Sequence, residues 1–268
     1  MRKATAPKAG DYLRSWRQRR RLSQLDFALE AEISQRHLSF LESGRAAPSR
    51  DMLLHLAERL DVPLRERNAM LLAAGFAPVF AERNLEDPAM EAARTAIEMV
   101  LKGHEPYPAL AVDRHWVLIA ANSALAPLLA GIEDKTLLEA PVNVMRLALH
   151  PRGLAPRIAN LEEWRAHLLD RLRRQIAVTG DGVLAGLLQE LSAYPVSGKL
   201  AAIHSTAPVD HGGVFVPLKL VSDQGLLSFL STTTIFGTPR DITLSEIAIE
   251  AFFPADAETG RILRQLAI

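Results

Sequence analysis

Gln35, Arg36 and Ser39 form the set of side chains in this chain best suited by type and spacing to base recognition. They open the stretch SQRHLSFLESGRAAPS, residues 34–49, within the first turn and a half of an apolar-periodic segment. A glutamine amide can pair in bidentate fashion with adenine and an arginine guanidinium with guanine, each good pair discriminating by about 1–3 kcal/mol. Gln24 and Ser34 fall at expected helix N-termini, where backbone N–H groups and a short polar side chain suit a phosphate oxygen. Arg45 and Arg50 flank the segment and are placed for contacts to a nucleic-acid backbone. The competing reading makes Gln35, Arg36 and Ser39 the solvated face of an ordinary amphipathic helix. The elements that position them decide between the two.

Apolar residues at helical spacing, with frequent breaks, predict five short helices within residues 1–77. Tyr12, Leu13 and Trp16 mark the first, which ends near Arg19, Arg20 and Arg21. Those cations suit a helix C-terminus without any ligand. Ser23 caps the second, with Asp26 completing a capping box and Leu25, Ala28 and Leu29 turned inward. Ser34 caps the third, with Leu38 and Leu41 in the core and Gly44 as its stop. Ser49 caps the fourth (Met52, Leu53, Leu56, Ala57, Leu60), and Pro63 opens a fifth that ends at Gly75. The segment SQLDFALEAEISQRHLSFLESGRAAPS, 23–49, resembles the XRE-type, lambda-repressor-like helix-turn-helix family. Gln24 opens the positioning helix, small Ala28 lets two helices cross, Ile33 and Leu38 fill their angle, and Glu42-Ser43-Gly44-Arg45 closes the motif. The resemblance implies an all-α DNA-binding head whose second motif helix enters the major groove. Glu32 departs from the pattern, standing where the family often has glycine in the turn.

Charge agrees with a polyanion partner for the head alone. Residues 1–85 hold 15 Lys/Arg against 10 Asp/Glu, and residues 86–268 hold 16 against 21, although the whole chain sums to zero.

Residues 78–87 read as a linker and 88–268 as a second domain, entered at Asp87-Pro88 by a helix bearing Met90, Ala93, Ile97, Val100 and Leu101. PALAVDRHWVLIAANSALAPLLAG, 108–131, reads as strand, turn, strand and an Asn122-capped helix, and resembles the opening of a PAS domain. Asn160 and Glu163 predict a capping box for LEEWRAHLLDRLRRQIAVTG, with Trp164, Leu168, Leu172 and Ile176 on one stripe. Arg171, Arg173 and Arg174 are read as its basic last turn. DGVLAGLLQELSAYP supplies another helix, and GVFVPLKLVSDQGLLSFLSTTTIF a hairpin about residues 222–225. Thr243 and Glu246 are read as capping a terminal helix, ITLSEIAIEAFFPAD. The sum is an α+β domain, an antiparallel sheet covered by helices.

Three phrases, NVMRLALHPRGLAPRIANLEEW, TTTIFGTPRDITLSEI and IEAFFPADAETGRILR, resemble the ligand-binding domain of MmyB-like transcription regulators. That resemblance implies a PAS-like sheet with a pocket for a small apolar molecule, fatty-acid-like compounds among them. Arg146 and His150 are the candidate carboxylate partners, and Asn122 a third candidate contact. The alternatives are that Arg146 pairs with an acid, that Asn122 is a helix cap, and that Trp116 and Trp164 are core. The body could also serve as a protein-partner or dimerisation module with no small ligand.

Enzymatic chemistry finds little footing. G-x-S-x-G, G-x-G-x-x-G and H-E-x-x-H are absent. Ser197-Gly198-Lys199-Leu200 resembles the end of a phosphate loop, but Ala193 replaces its first glycine and Leu200 its metal-binding hydroxyl. His204, Asp210 and His211 lack metal-site spacing. With no cysteine, disulfides and thiolate zinc are excluded. Without an apolar signal segment or spanning run, the expectation is a cytoplasmic, non-enzymatic regulator without cofactor or metal. It would act as a homodimer on double-stranded DNA and answer to an apolar effector.

Overall fold

The computed structural model describes residues 7–195, 215–237 and 239–266. The chain divides into two compact units, Met1–Arg83 with Pro239–Ser245, and Asn84–Thr238 with Glu246–Ile268.

The first unit contains α1 (Ala9–Arg19), α2 (Gln24–Glu30), α3 (Gln35–Glu42), α4 (Arg50–Arg59) and α5 (Leu64–Ala73). Three serines start helices as their positions predict: Ser23, Ser34 and Ser49 accept from the backbone N–H of Asp26, His37 and Met52. The core gathers Leu13, Trp16, Phe27, Leu38, Leu41 and Leu56. One inward assignment is corrected. Leu25 and Leu29 are 51% and 69% exposed, and Phe27 with Ala28 carries the buried face of α2. A seven-residue helix has too few apolar positions to fix its phase, and packing against α3 fixed it instead.

Residues beyond α5 do not swing free within this unit. Asn68 Oδ1 accepts from the N–H of Val79 and Phe80, and its Nδ2 donates to Phe80 O. A short helix, α11 (Ile242–Ser245), belongs to the same unit. Asp241 bridges to Ala81, its carboxylate pairs with Arg83 at 3.0 Å, and Thr243 Oγ1 donates to Arg83 O at 2.6 Å. Ile242 is buried.

The second unit is a five-stranded antiparallel sheet of order β2-β1-β5-β4-β3. Its strands are β1 (Ala109–Val112), β2 (Leu118–Ala121), β3 (Leu218–Ser222), β4 (Gly225–Ile235) and β5 (Ala248–Pro254). Helices α6 (Glu91–Gly103), α7 (Ala126–Leu129), α8 (Val144–Leu149), α9 (Leu161–Thr179), α10 (Gly182–Ala193) and α12 (Ala257–Leu266) complete it. The hairpin at 222–225 forms as read, with Ser222 opposite Gly225. The expected terminal helix does not. ITLS alone is helical, and AIEAFFP is β5, the central strand, flanked by β1 and β4. Two further expectations change. Asn160 makes no helix cap: it donates to Glu163 and to Pro217 O and accepts from Lys219 N–H, fastening the start of α9 to the approach to β3. Arg171, Arg173 and Arg174 lie before the last turn of α9, which runs on to Thr179.

Candidate DNA-binding helix and apolar cavity

In the first unit, α3 turns Leu38 and Leu41 into the core and leaves Gln35 and Arg36 exposed, with Ser39 half-buried beside them. The Arg36 and Arg45 guanidinium groups lie 5.4 and 6.0 Å from the ring centroid of Phe40. Phe40 therefore acts as a shared platform that holds two cations near α3. Arg50 is exposed at the first position of α4. Gln24 has an internal partner: its Nε2 donates to Glu42 Oε2 at 2.8 Å.

That contact belongs to a network the sequence did not reveal. Arg17 Nε and Nη2 donate to the two Glu42 carboxylate oxygens, and Arg17 Nη1 donates to Leu22 O. Burial pushes the Glu42 carboxyl up, but the hydrogen bonds from Arg17 and Gln24 outweigh it, and the group stays below its ordinary range. Gly10 permits the same clasp from the backbone side, because a Cβ there would stand 2.4 Å from Leu41 O. Arg20 is also internal, donating to Leu60 O and Asp61 O. Glu32, in the turn between α2 and α3, holds φ at +55°, so the residue that departs from the family's glycine still adopts the left-handed conformation glycine takes more easily.

In the second unit, one face of the sheet and helices α7, α8 and α9 line a part-open cavity of about 110 Å³. Its wall is leucine-rich, and its polar members are Arg171, Ser231 and Glu250. Trp116 and Trp164 are buried and also form cavity wall, so the choice between core and wall was no choice. Beside it, His167 stacks on Trp164 and is held below its ordinary pKa by burial and by Arg171 and Arg174, so the ring is neutral near pH 7.

The three candidate ligand contacts lie elsewhere. Val144, Met145, Leu147 and Ala148 of α8 line the cavity, whereas Arg146 leaves the helix on another side and clasps Glu190 of α10. That hydrogen bond is the main reason the Glu190 carboxyl lies low, and Tyr194 Oη donates to the same carboxylate at 2.6 Å. His150 packs edge-on against Tyr194, and its Nδ1 accepts from Arg152 N–H. Arg146 and His150 thus brace α8 against α10. Asn122 stands at a cap position without capping by its side chain; it accepts from Ala109 N–H and donates to Leu101 O and Tyr107 O, joining α6 to β1. The cation that does reach the cavity, Arg171, had been read as a helix-end charge. The cue available was its place one turn beyond Leu168 on the buried stripe of α9. Ser197 to Leu200, His204, Asp210 and His211 lie outside the described residues.

Among the described residues no helix is long and apolar enough to cross a membrane. Comparison with known families matches residues 13–67 to a helix-turn-helix model and residues 93–266 to the MmyB-like transcription regulator ligand binding domain. No curated protein matches the chain. The buried frame behind α3 and the cavity beneath α8 fall inside those two spans, and the chain belongs to the MmyB-like transcription regulators, with an XRE-type helix-turn-helix at its N-terminus and a ligand-binding domain at its C-terminus.

Proposed function

We propose that this regulator is a one-component sensor: α3 reads an operator, and the cavity of the second unit admits a small apolar molecule, fatty-acid-like in its alkyl body, that changes operator affinity. It works in the cytoplasm as a homodimer without enzymatic activity or cofactor, setting two recognition helices about 34–36 Å apart along the duplex. Gln35, Arg36 and Ser39 face base edges. Ser34, Arg45 and Arg50, with the N-terminal end of α2 at Gln24, meet phosphates.

The observation that carries the reading is one of connectivity. Strands β4 and β5 supply Phe229, Ser231, Glu250 and Phe252 to the cavity wall, and the segment joining them, Pro239–Ser245, belongs to the DNA-binding unit. A ligand that shifts β4 or β5 therefore pulls on chain fastened to Ala81 and Arg83, just beyond α5. A ligand moves such an equilibrium only by its different affinity for the two states, and couplings of about 1–3 kcal/mol are typical. Every buried methylene adds about 0.8 kcal/mol, so an apolar body can bind here with few polar contacts.

Fluorescence anisotropy with an operator selected from random DNA tests the reading. An apolar ligand that stabilises the protein thermally is expected to change operator affinity about 5–150-fold. Sequence-independent binding, or thermal stabilisation with no change at the operator, would count against it.

A further inference from the structure

Helix α6 has two unlike flanks. It packs on β1 with Ile97 and Leu101 buried, and its last turn is fastened to the start of that strand through Asn122, which donates to Leu101 O. At 3.6 residues per turn, this anchoring puts Ala92, Ala96, Met99, Val100 and Gly103 on one flank. Glu91, Arg94, Glu98 and Lys102 fall on the other. The uncharged flank is open: Met99 is 69% exposed and Val100 44%.

The sheet beneath α6 is only half covered. Leu110, Ser231 and Glu250 line the cavity, so their neighbours along β1, β4 and β5 turn to the opposite face. There Ala109, Ala111, Ile249 and Ala251 of β1 and β5 are buried, whereas Thr232 and Thr234 of β4 are exposed. Phe253, at the end of β5, is also exposed and meets His104 of α6 edge-on. Ala109 O accepts from Asn122 N–H and so points toward β2. Because α6 runs antiparallel to β1, its right-handed turn then carries the uncharged flank toward β5 and β4. The helix is a ridge beside a furrow floored by the β4 threonines.

We infer that a second copy of this chain docks here, α6 of each protomer lying over β4 of its partner about a two-fold axis. The inference rests on the homodimer reading and names the surface that serves it. Charge argues for self-pairing. Near a two-fold axis a residue meets its own copy, so any charge there meets a like charge at a cost. No residue of the ridge flank or of the furrow is charged, and the four charged side chains of α6 lie on the flank turned away. A polyanion or an anionic membrane surface finds no cation on this face to attract it.

Shape argues the same way. A partner of another kind would need only a ridge or only a furrow, whereas a chain carrying both side by side is complementary to itself. A helix about 20 Å long and 10 Å wide, beside strands about 4.8 Å apart, makes a face of roughly 20 by 20 Å. A two-fold contact of that size removes on the order of 1,000 Å² of accessible surface in total, where specific interfaces begin.

Sedimentation equilibrium of the full-length protein, alone and on operator DNA, tests the inference. Met99→Glu sets a carboxylate on the ridge, and Thr232→Lys sets an ammonium in the furrow. Each alone is expected to keep its circular dichroism and to weaken dimerisation at least about tenfold, about 1.4 kcal/mol. An equimolar mixture of the two variants should recover dimers, because the carboxylate of one copy meets the ammonium of the other. Glu98→Ala, on the charged flank, should dimerise within about twofold of wild type. Wild type that stays monomeric in both conditions overturns the homodimer reading and this inference with it. A wild-type dimer that both single variants leave intact, or a mixture no tighter than its components, overturns the surface and leaves the homodimer reading standing.

Discussion

Arg17 and Glu42 clasp each other inside the DNA-binding unit, with Arg17 Nε 2.6 Å from Oε1 and Nη2 2.9 Å from Oε2. Their side chains are 10% and 0% exposed. Glu42 is the last residue of α3, so this buried fork fixes the helix that presents Gln35 and Arg36 to the first helix of the unit. Truncating one partner leaves the other charge buried and alone. Arg17→Met is expected to destabilise the unit by about 3–5 kcal/mol, measured as a fall in urea midpoint.

The same pair sets an acid limit. Because the folded Glu42 pKa is depressed, its contribution is fully present above the unfolded carboxylate value and is lost as pH falls through the folded one. Urea midpoints recorded against pH should be level near neutrality and begin to fall below about pH 5. Glu42→Gln should be less stable than wild type near pH 7 and show a shallower acid limb; an unchanged limb would remove Glu42 from the account.

Arg36 and Arg45 share the Phe40 platform but face different tasks. Arg36→Ala should cost about 1–3 kcal/mol on the preferred operator and relax preference at one base position. Arg45→Ala should weaken all sequences alike and lower the salt dependence of binding by about one phosphate contact. Anisotropy titrations over salt and over operator variants separate the two.

Ala148 lines the cavity from α8, and a larger side chain there fills the space a ligand needs. Ala148→Phe is expected to abolish thermal stabilisation by apolar ligands and to leave ligand-free operator affinity within about twofold. Overpacking should cost about 1–3 kcal/mol of stability.

Asp241 fastens the β4–β5 connection within the DNA-binding unit through Arg83 and through Thr243 N–H. Asp241→Ala should preserve both ligand binding and operator binding while bringing the ligand's effect on operator affinity close to unity. A full ligand response in this variant would place the coupling elsewhere.

Local patterns were readable from the chain alone. Ser23 with Asp26, Ser34 and Ser49 each announce a helix start within four residues, since capping is settled by the nearest backbone N–H groups. The hairpin between Ser222 and Gly225 is equally local. Those features established the helix-turn-helix and the exposed face of α3.

What failed to show depended on partners far away in sequence. AIEAFFP becomes a strand because β1 and β4 offer hydrogen bonds on both sides, and nothing inside seven residues states that. Arg146 is denied the cavity by Glu190, and Arg171 is brought to it by Glu250, 79 residues beyond. The sequence by itself determined where the helices of the head begin and which polar residues α3 exposes. Only the tertiary structure decided which cation lines the cavity and that a carboxylate already holds it, because a charge takes its role from the nearest opposite charge in space.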